Sequence, residues 1–555
     1  MTRSRATWAL AALLLTGAAL RLWGSRWGFP LLLDGDEPHF VDVAVSFGAG
    51  TLNPHAFKYP TLWMYVLAAA YGAYYLAWSL FGLLHSVAQF GAMFVWQTWR
   101  FHWLGRLLSA GFSCLGLWAV ACADDERAEG LETAWPWAAA ILAVSPGLVY
   151  AAHEAKPDSL MFLLSALAWL CSLRLLRRGE PADYAAAGLC AGLAFAAQYT
   201  ALPILALPAL GHLLRVATGR ETLKSGSRKL ALALAASAAA FFAGCPFAVL
   251  DFREFSAALA DHAAFKAMGS AAASGATWGA WANLFRLGAA WPVAALALPL
   301  GAALLWRRDR TRLALLALPP LLWTAFLSRQ HDGENIRYLY SCAPAIALLS
   351  AESLATLSAG RKYAAAGLAA LALLPGLWNC LRTDRLLTLP DTRLAATAWI
   401  EANIPQGSSL LLDQPDASPA ARMTREQAEE LRRQNAALGS ARARLYTLMR
   451  DSHPGGGWRV YHIKRTARDL WSNPSHVEKS QREGAFVDAR EGLGALRALG
   501  IRYVVTTSFG ARPDRSPELS RFFAELSSKA GLLARFDPNE GASVGPTLLI
   551  YRISP

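Results

Sequence analysis

Charge is what this sequence is short of. Asp, Glu, Lys and Arg make up only 17% of its 555 residues, against 54% hydrophobic residues and 21 Trp. A soluble protein of several domains carries about a quarter charged residues, so that class is excluded and a membrane protein is expected. Cysteine is scarce too. Cys114, Cys122, Cys171, Cys190, Cys245 and Cys342 lie in apolar runs, Cys380 ends one, and none follows. Neither a disulfide framework nor a Cys-based zinc site is indicated. No Walker loop and no glycine-rich strand-to-helix turn occurs, so no nucleotide fingerprint is present. The net charge of +13 does not point to nucleic acid, because Lys and Arg cluster at the ends of apolar runs rather than along one polar face.

What is abundant is long apolar segments. Met1-Thr-Arg-Ser-Arg5 precedes the run Trp8 to Trp23, which has no clear small-x-small cleavage site and reads as a retained signal anchor with Arg3 and Arg5 in the cytoplasm. Further segments lie near 60–82, 103–122, 133–152, 158–176, 183–199, 201–214, 229–250, 287–306, 313–328, 338–357 and 363–380. If all of them cross, the basic clusters Arg174/Arg177/Arg178, Arg307/Arg308/Arg310/Arg312 and Arg361/Lys362 fall outside, against the positive-inside rule. Reading 60–82, rich in Tyr and Trp, as a helix lying on the outer surface restores the rule and leaves about eleven crossings. The first loop 24–102, the turn 153–158, the loop 251–286 and the turn 329–337 then share one outer face. The acidic loop 123–132 is an exception on the inner side.

Beyond residue 380 the character changes. Thr392 to Ile400 reads as an amphipathic helix, Ser409 to Leu412 as a strand and Met423 to Met449 as a charged helix, while 501–506 and 547–551 have the β-branched and aromatic makeup of strands. Two domains are expected: a mainly α, polytopic membrane domain over 1–380 and a small extracytoplasmic α/β domain over 381–555.

The chemistry-bearing residues gather on the outer face. Asp34-Gly35-Asp36-Glu37-Pro38-His39-Phe40 follows directly on the first apolar run. Two adjacent carboxylates cannot both point the same way, so one can face a substrate hydroxyl while the other binds a metal, the backbone or a cation; Asp36 is taken as the general base. Lys58 and Tyr59 open the surface helix, where a Lys meets a lipid phosphate or simply snorkels. Lys156 and Asp158 close the 153–158 turn; Asp158 alone would also serve as a helix cap. Arg337-Tyr338 opens another span at the same face, and a guanidinium there suits a phosphate leaving group as well as membrane anchoring. Gln198-Tyr199, His262, Lys266 and Arg286 are weaker candidates. His39 and His55 could ligate a metal with Asp34 or Asp36, although the spacing matches no defined metal motif.

These residues resemble a family. Asp36-Glu37-Pro38-His39-Phe40, then Lys58-Tyr59-Pro60-Thr61-Leu62, Ser145-Pro146 through Lys156-Pro157-Asp158, and Arg337-Tyr338 are similar to the polytopic GT-C glycosyltransferases of the protein O-mannosyltransferase and aminoarabinose-transferase superfamily, over roughly 1–380. Tyr59 and Gln198 depart from residues common in the aminoarabinose branch. The resemblance implies transfer of a sugar from a polyprenyl-phosphate carrier to an extracytoplasmic acceptor, with inversion. Asp36 and Glu37 would match the catalytic pair, and His39, Lys58, Tyr59, Lys156, Asp158, Arg337 and Tyr338 would serve donor phosphate and substrate. No covalent enzyme intermediate is required and no cofactor is assigned; a divalent metal assists in some GT-C enzymes and stays open here. Partners would be the lipid-linked sugar, the acceptor and membrane lipids, in a bacterial inner membrane.

A transporter or flippase of lipid-linked sugars is the rival from another class. It predicts charges within the spans and internal repeats, and neither is evident. A third alternative is an inactive scaffold whose outer domain binds a partner.

Overall fold

The computed structural model describes residues 3–121, 134–272, 278–288, 293–330, 333–413, 417–466, 474–511 and 519–554. The acidic loop 123–132, together with His331 and Asp332, lies outside the described residues. The chain divides into two compact units, one formed by 1–25, 36–71 and 102–385, the other by 26–35, 72–101 and 386–555. Two segments of the first loop group with the C-terminal residues, and the boundaries fall within the helices Leu62–Leu80 and Trp99–Ala121.

The first unit is helical, and the described residues of each apolar run lie mainly in a helix or a helix pair. Trp99–Ala121, Asp158–Arg177, Tyr199–Ala217, Ile336–Ser358 and Tyr363–Thr388 are each long and apolar enough to cross a membrane. The pair Ala134–Ala143 and Pro146–Ala152 makes a sixth, bent by 59° where Pro146 can neither donate to the helix ladder nor clear the preceding turn. Against the expected eleven or so crossings, only these pass that test among the described residues. The helix Leu62–Leu80 is present where the surface helix was expected, and it does not pass the same test.

Local chemistry sets the helix ends and contacts. Glu180 and Asp183 form a capping box around Pro181 at the start of the helix Pro181–Ala197. The Arg215 guanidinium donates to the carbonyls of Leu176 and Arg177, at 3.0 and 3.1 Å, and so satisfies the end of Asp158–Arg177. Gly188 and Gly192 let Pro181–Ala197 press against Leu223–Gly244, since a Cβ at either would collide with the carbonyl of Ala233 or Ser237.

The second unit is a three-layer α/β structure. Its strands are β1 (Ser409–Leu412), β2 (Arg459–Ile463), β3 (Phe486–Val487), β4 (Tyr503–Thr507), β5 (Gly531–Phe536) and β6 (Leu548–Arg552), in the order β3-β2-β1-β4-β6-β5. The first four named in that order are parallel, and β6 and β5 are antiparallel. The run of leucines in β1 has the mark of a strand covered on both faces. Leu411 faces Phe522 and Leu526 of the helix Ser520–Lys529, while Leu410 and Leu412 face Ala396 and Ile400 of Thr392–Asn403. The expected charged helix over 423–449 is two helices, Arg425–Ala437 and Arg442–Asp451, broken at Gly439 with φ +65°. Strands β2, β3 and β5 were not foreseen.

Candidate active site

Asp36 ends the first loop as the residue before the helix Glu37–Ser46. Pro38 in the first turn starts that helix at little cost, and the turn separates the two neighbouring carboxylates. Asp36 faces outward, with its side chain 39% exposed, and its Oδ2 lies 3.5 Å from Arg337 Nη1. Glu37 turns inward and is fully buried.

Glu37 is held from three sides. Arg106 Nε and Nη2 donate to its two oxygens at 2.7 Å each, and the Ala155 backbone N–H donates to Oε1 at 2.7 Å. His102 Nδ1 stands 3.5 Å from Oε2. Burial pushes the Glu37 carboxyl up, but the hydrogen bonds from Arg106 and the nearby His102 outweigh it and hold the group below the usual glutamate range. An ionised, fully bonded carboxylate is a fixture rather than a proton acceptor for substrate.

That fixture joins the first loop to the 153–158 turn. Besides the Ala155 N–H, the Ala155 carbonyl accepts from Trp63 Nε1 at 3.0 Å, and the Lys156 carbonyl accepts from Ser109 Oγ at 3.3 Å. Gly105 permits this approach, because a Cβ there would sit 2.7 Å from that of Ala155. The ring nitrogens of buried His153 lie 2.9 and 2.7 Å from the carbonyls of Val149 and Trp23. Burial, and the guanidiniums of Arg106 and Arg21, hold the imidazole below its usual value against those carbonyls.

The turn then delivers Lys156 and Asp158. Lys156 is buried and its ammonium pairs with Glu154 at 3.0 Å. Asp158, only 3% exposed, faces Arg337 Nε at 3.7 Å. Arg337 thus stands between two carboxylates, Asp36 and Asp158, with its backbone fixed by the cap that Asn335 Oδ1 makes to its N–H at 3.2 Å. The Tyr338 carbonyl accepts from Trp323 Nε1 at 2.8 Å, which secures the following residue.

Tyr59 completes the cluster. Burial and the charges of Asp36 and Asp158 push its phenol well above the usual value, while Arg337 and Lys156 pull the other way. It therefore stays neutral and remains a hydrogen-bond donor. Its ring packs against His39 at 5.3 Å and Phe40 at 4.9 Å, and the Lys58 ammonium lies 5.2 Å over it. Among the described residues no carboxylate pairs with Lys58.

Of the residues singled out in the sequence, Asp36, Tyr59, Lys156, Asp158 and Arg337 are brought together, with Lys58 over the Tyr59 ring and His39 edge-on against it. The weaker candidates do other things. Gln198 is buried at the break after Pro181–Ala197, Tyr199 Oη donates to the Phe57 carbonyl at 3.4 Å, and Arg286 donates to Asn283 at 3.0 Å. The pairing of His39 and His55 with Asp34 or Asp36 as metal ligands is not what gathers. Among the described residues the metal-ligating types that come together are His55, Asp251 and Glu254. His102 and Arg106 were missed. The available signal was a charge and an imidazole four apart within an apolar run, which argues for an inward-facing partner.

The chain has the fold of solved polytopic GT-C membrane glycosyltransferases. Residues 132–244 match the family model described as dolichyl-phosphate-mannose-protein mannosyltransferase. The whole chain aligns with the whole of ArnT from Cupriavidus metallidurans bound to undecaprenyl phosphate, at 12% identity and a TM-score of 0.52. The apo form of that protein aligns over 99% of this chain and 98% of its own, at 14% identity and a TM-score of 0.51. The archaeal oligosaccharyltransferase AglB from Archaeoglobus fulgidus, in complex with an inhibitory peptide and a dolichol-phosphate, aligns over 98% of this chain and 74% of its own, at 12% identity and a TM-score of 0.51. No curated protein sequence matches the chain.

Proposed function

We propose that the chain is an integral membrane glycosyltransferase that moves a sugar from a polyprenyl-phosphate carrier to an extracytoplasmic acceptor with inversion, Asp36 acting as general base. The observation that carries this reading is the position of Arg337, within 3.5 Å of the outward-facing carboxylate of Asp36 and 3.7 Å of Asp158. A base and a leaving-group cation side by side are what a single displacement at an anomeric carbon requires. The family match and the lipid phosphates held by ArnT and AglB support the donor class.

In the proposed step the acceptor hydroxyl oxygen attacks the anomeric carbon and gives its proton to Asp36. The bond from that carbon to the phosphate oxygen breaks, and the electron pair leaves with the phosphate. Arg337, Lys58 and Lys156 offset the charge that develops there, and the neutral Tyr59 phenol donates to it. Glu37 holds the loop on which Asp36 sits. The acceptor class is a hydroxyl of a protein Ser/Thr, a lipid or a glycan. The basic clusters support placing the site and the C-terminal α/β unit on the outer side of a bacterial inner membrane.

The test is transfer in vitro from a polyprenyl-phosphate sugar. Asn at position 36 keeps size and an acceptor oxygen but takes no proton at neutral pH. Asp36→Asn should lower turnover by at least about two orders of magnitude with little change in donor binding. A drop smaller than about tenfold removes Asp36 as base. Intact transport without transfer would favour the flippase reading.

A further inference from the structure

The segment that leads into Lys58 docks on the start of the helix Phe252–Ala272 through Asn53, His55 and Phe57. Asn53 Nδ2 donates to Asp251 Oδ2 at 2.9 Å, His55 Nδ1 lies 2.8 Å from Glu254 Oε2, and Phe57 meets Phe255 edge-on with centroids 5.6 Å apart. His55 sits in the left-handed region at φ +47°, and its N–H donates to Asn53 Oδ1 at 3.2 Å, so the contacts are made from a turn. Asp251 precedes the helix, and its Oδ1 accepts from the Glu254 N–H at 3.3 Å, which holds the two carboxylates at the same helix start.

The middle contact has a composition that the outer two lack. One ligand atom from each of His55, Asp251 and Glu254 lies within 4.8 Å of the other two. His55 and Glu254 are only partly covered, with side chains 60% and 39% exposed, so an ion reaches them without opening the fold. They come from chain segments 199 positions apart.

We propose that His55, Asp251 and Glu254 form a zinc site that clasps the Lys58 segment to the helix Phe252–Ala272. Three protein ligands with a fourth position left to water is a coordination set that zinc accepts, with its Nδ1 and carboxylate ligands at about 2.0–2.2 Å. Tetrahedral ligands at that distance stand about 3.3 Å apart, so His55 and Glu254 need to separate only by a fraction of an ångström from their present hydrogen bond. The imidazole is what selects the ion. Calcium and magnesium take oxygen ligands and, for magnesium, keep several waters, whereas imidazole favours first-row transition ions. Two carboxylates and a neutral imidazole also balance a divalent charge. The clasp concerns the segment's attachment, so it stands whether or not the transfer reaction is as proposed.

The test uses the full chain, free of affinity tag, in detergent micelles and stripped of metal with a chelator. Zinc chloride is titrated by calorimetry, and bound zinc is counted by mass spectrometry. One zinc per chain is expected, with His55→Ala and Glu254→Gln each weakening it at least about tenfold. His55→Cys should recover most of the loss, since a thiolate is also a zinc ligand. His85→Ala, an exposed histidine elsewhere, should leave the affinity unchanged, and magnesium chloride should not compete. Three results would each overturn the proposal: no stoichiometric zinc, zinc whose affinity ignores His55→Ala and Glu254→Gln, or magnesium binding as tightly as zinc. Because His55 is largely exposed, its variants should elute from size exclusion as the parent does.

Discussion

Glu37→Gln isolates the buried fixture beneath Asp36. Glu37 and Arg106 have no exposed side-chain surface, and the guanidinium makes two bonds of 2.7 Å to the carboxylate. Hydrogen bonds to charged groups contribute about 1.5–3 kcal/mol each. Removing one partner of such a pair leaves a buried charge uncompensated, which costs about 3–5 kcal/mol. Gln keeps an oxygen for the Ala155 N–H, so the loss falls on the Arg106 side. The single variant is expected to lose about 3–5 kcal/mol of unfolding free energy, and Glu37→Gln with Arg106→Met to lose less than Glu37→Gln alone, because the orphaned cation is gone. The measurement is a double-mutant cycle by equilibrium unfolding of the detergent-purified protein, with turnover measured on the same samples. A coupling below about 1 kcal/mol would refute the fixture. So would a Glu37→Gln protein as stable as the parent with turnover abolished, since Glu37 would then act in the chemistry itself.

Arg337→Ala should lower turnover at saturating donor by about a hundredfold and Arg337→Lys by less, because an ammonium restores charge but not the planar fork that spans Asp36 and Asp158. Wild-type turnover in the alanine variant would remove Arg337 from the phosphate site. In the α/β unit, burial holds His462 down to about 4. Its folded pKa lies below the unfolded value, so the stability it confers is complete above about pH 6.5 and falls away as pH drops toward 4, by about 3 kcal/mol in all. Burial raises the Asp413 carboxyl despite its pairing with Arg465, and that opposes part of this slope. Unfolding of the full chain across this window should steepen with acid in the parent and flatten in His462→Phe; equal slopes would refute it.

Sequence alone determined the helices, the paired acids and part of the sheet. Apolar runs such as 158–176 and 338–357 became helices because a backbone in an apolar setting must satisfy its own polar groups, a demand met within the run itself. Leu410 to Leu412 read as a strand for an equally local reason. Strands β2 and β5 were not legible, since Arg459-Val-Tyr-His-Ile463 and Gly531-Leu-Leu-Ala-Arg-Phe536 carry mixed residues whose pairing depends on partners elsewhere.

Tertiary structure decided which of two adjacent carboxylates does what. Asp36 and Glu37 are equivalent as sequence, but a guanidinium 69 positions away in Trp99–Ala121 captures Glu37 and leaves Asp36 facing out to Arg337. It likewise gave His55 to Glu254 and not to Asp36, and grouped 72–101 with the C-terminal unit. Secondary structure follows from hydropathy over a few turns, whereas a buried charge takes its role from the one opposite charge that packing brings within about 3 Å.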